Sequence, residues 1–244
     1  MSPLSHMILA AHQLHYLPWL RYFHKIALCD TFVVLDNIQF NKNGWQNRNK
    51  IKTPKGWGYL SVPVLHKNEQ LLNEVRIDNH QPWPRKHWGS LSGSYSKAPF
   101  FKEHADFLKK IYETPWERLN DLNYEMFFYF LKALGIKAKI VKSSEMNLRG
   151  EATDRLIGIC KDLGAKAYLT GAYAAEVYLD SEDFKREGIE LVFQKFDCPG
   201  YPQLYPEAGF VPELAIVDLL LNCGPKSFET LMSTTGCGAS GDEK

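Results

Sequence analysis

The sequence predicts an α/β protein with a mostly parallel sheet, flanking helices and a helical insertion. Two observations support this prediction. Short apolar runs that are typical of buried strands alternate along the chain with segments of helical periodicity. The first strand, helix and second strand also fit within about 30 residues, the size of a βαβ unit. We therefore expect an N-terminal βαβ unit that is similar to those of nucleotide-binding proteins.

Three segments make up this N-terminal unit, namely a strand at 7–11, a helix at 18–27 and a strand at 31–35. Both strand segments are apolar or β-branched, and the aromatic residues between them recur at helical spacing. Pro18 suits the first turn of the helix, where an amide hydrogen has no partner within the helix. Parallel strands place ligand groups beyond their carboxyl ends, so His12, Gln13 and Asp36 are candidate site residues.

The rest of the chain continues the alternation. We expect further strands at 56–64, 74–77, 138–141, 167–170 and 189–193. We expect further helices at 100–112, 119–134, 152–163, 183–187 and 214–221. Gly135 and Gly164 directly follow two of these helices, as is typical of C-terminal caps. The polar stretch 44–52 is expected to be a loop, and Pro82 and Pro84 to mark a loop or an irregular helix start.

Length and composition favour a single domain. The chain has 244 residues, of which 45% are hydrophobic and 23% charged, as in an ordinary globular protein. This composition excludes a disordered, collagen-like or repeat protein. Because we find no internal repeat and no linker, we expect one α/β domain at 7–232. Residues 1–6 precede a second methionine and are expected to be an added leader or a weak start, and residues 233–244 are expected to fray.

Charge and cysteine content narrow the class of partner. The 29 basic and 28 acidic residues give a net charge of +1, which argues against a nucleic-acid partner. No apolar run approaches the roughly 18 residues of a membrane helix, so no membrane span is expected. The five cysteines are dispersed without close pairs. Such a set is typical of free thiols in a reducing compartment, and we expect a cytoplasmic protein that binds a small-molecule substrate.

Residues 12–19 join the first predicted strand to a helix N-terminus, where amide hydrogens and the helix dipole favour anions such as phosphate. His12 and Asp36 are candidate catalytic bases at these strand ends. The side chains of this segment that are expected to bind substrate are Gln13, His15, Tyr16 and Trp19. No glycine-rich phosphate loop occurs in the sequence. Two histidines without further ligands at zinc spacing do not predict a metal site.

A second candidate region, 44–52, is the densest polar stretch of the chain. An arginine can hold a phosphate or carboxylate by two parallel hydrogen bonds, and an indole offers a stacking face. Amide side chains can bind hydroxyl groups. With one preceding glutamine, the residues expected to bind substrate here are Gln39, Trp45, Gln46, Asn47, Arg48, Asn49 and Lys52.

A third set of candidates lies in the C-terminal half. Gly171 ends a predicted strand and would let a ligand approach the backbone closely. The aromatic and amide residues that follow it, or lie in a later loop, are also expected to bind substrate, and they are Tyr173, Tyr178, Tyr201 and Gln203. Asp218 lies within an apolar predicted helix, where a structural partner is favoured over a catalytic role.

Several blocks of the sequence, in this order, resemble the WbqC-like family. They are AHQLHYLPWLRYFHKI, DTFVVLDNIQF, GWQNRNKIK, GWGYLSVPV, YLTGAYAAEVYLD, YPQLY and PELAIVDLLLNCG, and they run from residue 7 to about residue 232. The chain departs from the family pattern at two points. Leu14 replaces a usual proline, and an arginine expected near 41–43 is missing.

The resemblance implies a role in bacterial surface-polysaccharide and O-antigen biosynthesis. It suggests work on a nucleotide-linked amino sugar, to which an acyl or aminoacyl group is attached. The resulting hypothesis is a transferase in which Arg48 and Lys52 neutralise negative charge and His12 or Asp36 is the general base. Two alternatives stay open at this point, a nucleotidyltransferase or ligase that uses Mg-ATP and a non-catalytic protein that binds a nucleotide sugar or glycan. The cofactor is correspondingly open, with Mg-ATP or an acyl donor as the candidates.

Overall fold

A computed structural model of the protein describes residues 6–42, 44–148, 150–171, 180–233 and 237–239. The strands are β1 (Ile8–Gln13), β2 (Thr31–Leu35), β3 (Arg48–Thr53), β4 (Gly56–Ser61), β5 (Val64–Leu65), β6 (Arg76–Ile77), β7 (Lys139–Lys142), β8 (Ala167–Gly171), β9 (Glu190–Gln194) and β10 (Cys237–Ala239). The helices are α1 (Leu20–Ala27), α2 (Trp83–Tyr95), α3 (Phe101–Glu113), α4 (Leu119–Leu134), α5 (Ala152–Leu163), α6 (Ser181–Arg186), α7 (Ile216–Cys223) and α8 (Ser227–Met232).

The main sheet has the strand order β10-β9-β8-β1-β2-β7. Its five strands from β9 to β7 are parallel to their neighbours, and β10 pairs antiparallel with β9. Helices flank this sheet, so the predicted α/β class with a mostly parallel sheet is confirmed. The chain builds outward from β1 through β2 to β7, and then returns to place β8 on the other side of β1. The strand order therefore reverses between β1 and β8.

The pleat of the sheet separates two hydrophobic cores. Ala10, Phe32 and Val34 face the larger core, which also contains the apolar faces of α1, α4 and α7. Leu9 and Val33 alternate with them and face the smaller core beneath α5 and α6. This period-two alternation is expected for strands that are buried on both faces. The sheet ends are thereby held rigidly between two helical layers.

A helical insertion lies between the neighbouring strands β2 and β7. It contains α2, α3 and α4, preceded by the antiparallel pairs β3–β4 and β5–β6. The predicted bounds of α4 and α5 match those observed, and both helices end at a left-handed glycine, Gly135 with φ 69° and Gly164 with φ 72°. The backbone amides of these glycines donate hydrogen bonds to carbonyl oxygens of the last helical turn. Glycine adopts the positive φ that this geometry requires at little steric cost.

Two segments of the insertion correct the sequence-based expectation. The segment expected to be a loop at 44–52 contains most of β3, which pairs with β4 from Arg48–Ser61 to Thr53–Gly56. The segment around Pro82 and Pro84 is not irregular, because it begins the regular helix α2. Proline is tolerated in the first turn of a helix, where the lost amide hydrogen has no helical partner.

Residues 237–239 form β10, within the segment 233–244 that was expected to fray.

Within the described ranges, no helix combines the length and the apolar character that crossing a bilayer requires.

Candidate functional site

A cleft opens at the carboxyl ends of β1, β2, β8 and β9. It has two adjoining compartments with volumes of about 520 and 540 Å³. The α1 compartment is lined by His12, His15, Trp19, Lys25, Trp45 and Gln194, among others. The α5 compartment is lined by His12, Gln39, Glu69, Leu71, Glu151 and Arg155, among others. Both volumes lie in the range of small-molecule sites.

The cleft lies at the point where the strand order of the sheet reverses. His12 and Gln13 end β1, and Gly171 ends β8 on its other side. In open α/β sheets, the connections on either side of such a point leave in opposite directions and create a crevice there. Ala11, His12, Gln13 and Tyr168 line both compartments, so the end of β1 forms their shared wall.

His12 is held as a neutral base. Its Nδ1 lies 3.3 Å from the carbonyl oxygen of Gln13, and because a carbonyl only accepts, Nδ1 carries the hydrogen in this contact. Nε2 is then the unprotonated nitrogen. Desolvation lowers the pKa of His12 to about 3, the ammonium group of Lys25 lowers it as well, and the hydrogen bond to Gln13 opposes both effects. The side chain therefore offers a lone pair, not a charge, at neutral pH.

Aromatic rings continue from His12 along one wall of the α1 compartment. The ring centroids are 4.7 Å apart for His12 and His15, 5.0 Å for His15 and Trp19, and 4.6 Å for Trp19 and Trp45. Indole faces and edges of this kind suit the stacking of a sugar or a base. Trp45 is fixed in place because its carbonyl oxygen accepts a hydrogen bond from the amide of Tyr16.

His15 also carries an unused hydrogen-bonding atom. The side chain is 3% exposed, and its Nδ1 has no hydrogen-bond partner among the described residues. Burial lowers the pKa of His15 well below its usual value, and the charge of His12, when it is protonated, and that of Lys25 act in the same direction. An unsatisfied polar atom in a buried position costs free energy, so such an atom in a cleft wall often marks a ligand contact.

Lys25 supplies positive charge to the α1 compartment. It is half-buried on α1, one turn beyond Arg21, which also lines the compartment. The pKa of Lys25 is lowered to about 8, mainly by burial, while the Cys29 thiol opposes this effect and the charge of Arg21 adds to it. Arg21 pairs with Glu213, whereas no carboxylate within the described part of the chain lies at ion-pair distance from Lys25. The ammonium is thus protonated at neutral pH and open to an anionic ligand.

Two glutamines fix the shared end of β1. The amide nitrogen of the Gln46 side chain donates to the side-chain oxygen of Gln13, and Gln46 Oε1 accepts from the backbone amide of Asn41 at 3.1 Å. Asn123 Nδ2, on α4, donates to the carbonyl oxygen of Gln46 at 2.8 Å. These bonds connect β1, the segment before β3 and the helical insertion at the cleft.

The α5 compartment differs in charge. Glu69 and Glu151 are exposed carboxylates at its rim, and Arg155 donates from Nε to the carbonyl oxygen of Gly150 at 3.2 Å. Gln39, one of the predicted binding residues, lies in this compartment. The cleft therefore has a cationic side at α1 and a mixed, partly acidic side at α5.

The structure does not bring Asp36 into the cleft. Asp36 is 4% exposed, and its Oδ1 accepts from Ser143 Oγ at 3.0 Å and from the Ser144 amide at 2.9 Å. Its Oδ2 accepts from Tyr124 at 2.9 Å and from Ser144 Oγ at 2.7 Å. Ser143 Oγ also lies 2.6 Å from Asn37 Oδ1, so its one hydrogen is shared between the two acceptors. Both Asp36 oxygens nevertheless accept hydrogen bonds in a buried position, which gives a substrate little access to them. The geometry therefore favours a structural role for Asp36 over the predicted catalytic one.

Tyr201, Gln203 and Lys52 also lie outside the cleft, in a buried cluster around Asp218. Asp218 is fully buried and accepts from Tyr95 at 2.9 Å and from Tyr201 at 2.8 Å. Burial raises the pKa of Asp218 to about 6, although the hydroxyl donors oppose this effect. Gln203 donates to Tyr201, and Lys52 donates to the carbonyl oxygen of Gly209. These hydrogen bonds join β3, α2 and α7.

Four further predicted residues bind protein groups away from the cleft. Tyr16 is hydrogen-bonded to His87 and Tyr112, Asn47 to the Val62 carbonyl and Asn49 to the Leu17 carbonyl. The guanidinium of Arg48 lies 4.9 Å from the centre of the Tyr59 ring. Tyr173 and Tyr178 lie outside the described residues. The predicted residues that the cleft does bring together are His12, Gln13, His15, Trp19, Gln39, Trp45, Gln46 and Gly171.

Sequence reasoning missed Arg21, Lys25 and Gln194. The spacing of apolar residues predicted the buried face of α1. It did not indicate whether the polar residues of this helix face solvent or a cleft. One signal was present, since Arg21 and Lys25 are spaced four apart on a helix that contains no acidic residue. For metal ions, the described ranges contain no group of three or more histidine, cysteine, aspartate or glutamate side chains placed to hold one.

The sheet and the cleft define an α/β protein with a ligand-sized crevice at the carboxyl ends of parallel strands. The chain belongs to the WbqC-like protein family, whose family model matches residues 13–230. It is 36% identical over 221 residues to the uncharacterized protein Rv1507c of Mycobacterium tuberculosis (strain ATCC 25618 / H37Rv), an alignment that covers 88% of this chain and 93% of that protein. No solved structure matches the chain significantly. The resemblance found in the sequence is confirmed at the level of the family.

Proposed function

We propose that this protein is a cytoplasmic transferase of bacterial surface-polysaccharide biosynthesis. In this proposal it attaches an acyl or aminoacyl group to a nucleotide-linked amino sugar, and the N-terminal βαβ unit binds the nucleotide part. Membership of the WbqC-like family supports the biosynthetic context. The observation that carries the reaction type is the position of His12, which lines both compartments of the cleft. Direct transfer between two bound substrates needs a proton acceptor that both can reach, and a histidine bordering both compartments supports such an arrangement.

The proposed reaction begins with the sugar amine attacking the carbonyl carbon of the acyl donor. A nitrogen–carbon bond forms while the amine proton moves to Nε2 of His12. The bond between the acyl carbon and its leaving group then breaks, and the leaving group takes the proton from His12. Proton transfer of this kind contributes roughly 10²- to 10⁴-fold to a rate.

A bound substrate would make His12 a stronger base. In the free protein, Lys25 lowers the pKa of His12. Burial is the larger cause of the lowered pKa, and the Lys25 charge adds to it. An anion beside the ammonium group would compensate the second effect, so the pKa of His12 would be higher with substrate bound than in the empty cleft.

The aromatic wall supports the choice of substrate. Trp19 and Trp45 present apolar faces beside the polar amides of Gln13 and Gln46. Sugars and nucleobases both combine a stackable face with an edge of hydrogen-bonding groups. Across the shared wall, the carboxylates of Glu69 and Glu151 suit an amine-bearing substrate.

A turnover assay tests the proposal. The full chain is incubated with a panel of nucleotide-linked amino sugars and acyl or aminoacyl thioesters, with and without Mg-ATP, and products are detected by their mass. We expect an acylated sugar nucleotide without ATP, and its loss in His12→Gln. Product that requires ATP and releases AMP or pyrophosphate would replace the proposal with a ligase or nucleotidyltransferase. Tight binding of the sugar nucleotide without turnover of any donor would replace it with a non-catalytic binding protein.

A further inference from the structure

The α1 compartment carries a charge and a hydrogen-bonding atom for which the described residues provide no partner. Lys25 has no carboxylate at ion-pair distance within the described ranges. His15 Nδ1 is buried and has no hydrogen-bond partner in the same part of the chain. Both side chains line the compartment, and the His15 ring lies 4.7 Å from that of His12. Two independent features therefore point to one ligand.

We infer that the corner of the α1 compartment formed by His15, Lys25 and Arg21 binds the diphosphate group of the substrate. The inference rests on the proposed function, since it assigns the nucleotide end of the same substrate to one side of the cleft. Lys25 contributes an ammonium group, and His15 donates from Nδ1 to a phosphate oxygen. Arg21, one helical turn before Lys25, adds positive charge at the rim although it also pairs with Glu213.

The distribution of charge favours this side of the cleft over the other. The described residues that line the α1 compartment include two cationic side chains, Arg21 and Lys25, and no carboxylate. The α5 compartment contains Glu69 and Glu151 and a single arginine. A diphosphate with two or more negative charges is attracted by the first set and repelled by the carboxylates of the second.

The surroundings also fit the chemistry of phosphate. Among the described residues no carboxylate pairs with Lys25, and partial burial strengthens its attraction for an anion relative to an exposed lysine. A phosphate oxygen at His15 would satisfy a buried polar atom that has no partner in the described part of the chain. The compartment volume of about 520 Å³ leaves space for a ring stacked on Trp19 beyond the diphosphate.

Isothermal titration of the full chain with inorganic pyrophosphate tests the assignment. In Lys25→Met, which keeps the length of the side chain without its charge, we expect affinity to fall about ten- to a hundredfold. Lys25→Arg is expected to stay within a few fold of the natural protein. Lys86→Met, which removes an exposed lysine of α2 outside the cleft, is the matched control and is expected to leave affinity unchanged. Thermal unfolding of each variant shows whether the fold is retained.

A second readout concerns His15 directly. The imidazole resonances of His15 are expected to shift on addition of pyrophosphate to the natural protein, because Nδ1 gains a hydrogen-bond acceptor. If Lys25→Met is folded and binds pyrophosphate as tightly as the natural protein, or if the His15 resonances do not move at saturation, the assignment is wrong.

The outcomes separate this inference from the proposed function. If Lys25→Met loses pyrophosphate binding while no acyl transfer is found in any assay, the anion site stands and the transferase proposal fails. If acyl transfer is found and the KM of the sugar nucleotide is the same in Lys25→Met, the transferase stands and the anion site is overturned.

Discussion

The cleft lies next to the Asp36 cluster, in which Asp36 is bonded to Tyr124, Ser143 and Ser144, at the carboxyl ends of the same sheet. The two regions differ in how completely their polar side chains are hydrogen-bonded within the protein. Asp36 accepts four hydrogen bonds from two serines and a tyrosine, and neither oxygen is left over. In the cleft, His12 leaves Nε2 without a hydrogen, and His15 Nδ1 has no partner within the described ranges. Both regions contain titratable groups that follow strands, so position alone does not distinguish them.

The difference lies in how many hydrogen bonds each group has completed within the protein. A saturated carboxylate stabilises the fold and offers nothing to a ligand, whereas an incompletely bonded imidazole beside an ammonium group costs stability and becomes useful when a ligand arrives. Substitutions in the two regions should therefore separate activity from stability.

The largest effect is expected at His12. Replacing His12 with glutamine removes the proposed proton acceptor and should lower kcat about 10²- to 10⁴-fold in the transfer assay. The unfolding free energy should change little, because the side chain is neutral and only partly buried. His104→Gln, which alters a histidine outside the cleft that is bonded to Tyr129, is the control. Activity of His12→Gln within a few fold of the natural protein would remove His12 from the mechanism.

The reverse pattern is expected for Asp36→Ala. This change leaves the donors of Ser143, Ser144 and Tyr124 without their shared acceptor and should lower the unfolding free energy by about 3–5 kcal/mol in urea titrations. Asp106→Ala, at an exposed position of α3, should change it by less than about 0.5 kcal/mol. If Asp36→Ala keeps the stability of the natural protein but loses turnover, the distinction between a structural Asp36 cluster and a functional cleft is wrong.

Buried histidines make stability sensitive to acid. Burial lowers the pKa of His87 to about 4, below the value of about 6.5 in an unfolded chain. Between these values the unfolded state binds the proton and the folded state does not, so stability is lost as pH falls. His87 alone should contribute a loss of about 2 kcal/mol between pH 7 and pH 5. Asp218 acts in the opposite direction, because burial raises its pKa.

Urea unfolding at both pH values measures this contribution. In His87→Gln, the difference in unfolding free energy between pH 7 and pH 5 should be about 2 kcal/mol smaller than in the natural protein. If this difference is the same in His87→Gln as in the natural protein, folding does not lower the pKa of His87, and the histidine is protonated at pH 5 in the folded protein.

The smallest effect is expected at Arg48, where the sequence suggested a phosphate clamp. The guanidinium lies over the Tyr59 ring on the β3–β4 hairpin and does not line either compartment. Arg48→Lys and Arg48→Ala should therefore leave kcat/KM within about twofold and cost about 0.5–1 kcal/mol of stability or less. A tenfold loss of kcat/KM in Arg48→Lys would restore the two-pronged anion contact and extend the site onto the hairpin.

The parts of the fold that were predicted share a strong local pattern. Helices α4 and α5 have helical periodicity and a glycine directly after the last turn, and β2 is a continuous apolar and β-branched run. Strand β3 was missed because polar residues alternate with Asn49 and Ile51, so only one apolar side chain marks its buried face. Asn49 is buried, and its side chain donates a hydrogen bond to the carbonyl oxygen of Leu17. The local sequence gives no sign of this distant contact.

The cleft residues that the sequence predicted are those at the ends of parallel strands. Features that depend on how distant elements pack together were missed. His12, Gln13 and Gly171 follow from the rule that ligands bind beyond parallel strands. The placement of Lys25 depends on how α1 turns against β1, and the saturation of Asp36 depends on residues more than 80 positions later in the chain. Long-range hydrogen bonds of this kind are decided by tertiary structure, so a polar residue at a strand end has the same local sequence whether it is free or fully bonded.

The shared wall between the two compartments has a kinetic consequence. His12 and Gln13 border both spaces, so in the proposed reaction neither substrate would have to leave before the other could enter. The proposed transfer would then pass through a ternary complex, in which the acyl group moves directly from donor to acceptor without residing on the protein. Initial-rate plots that vary one substrate at several concentrations of the other should then give intersecting lines, whereas parallel lines would reveal a covalent enzyme intermediate.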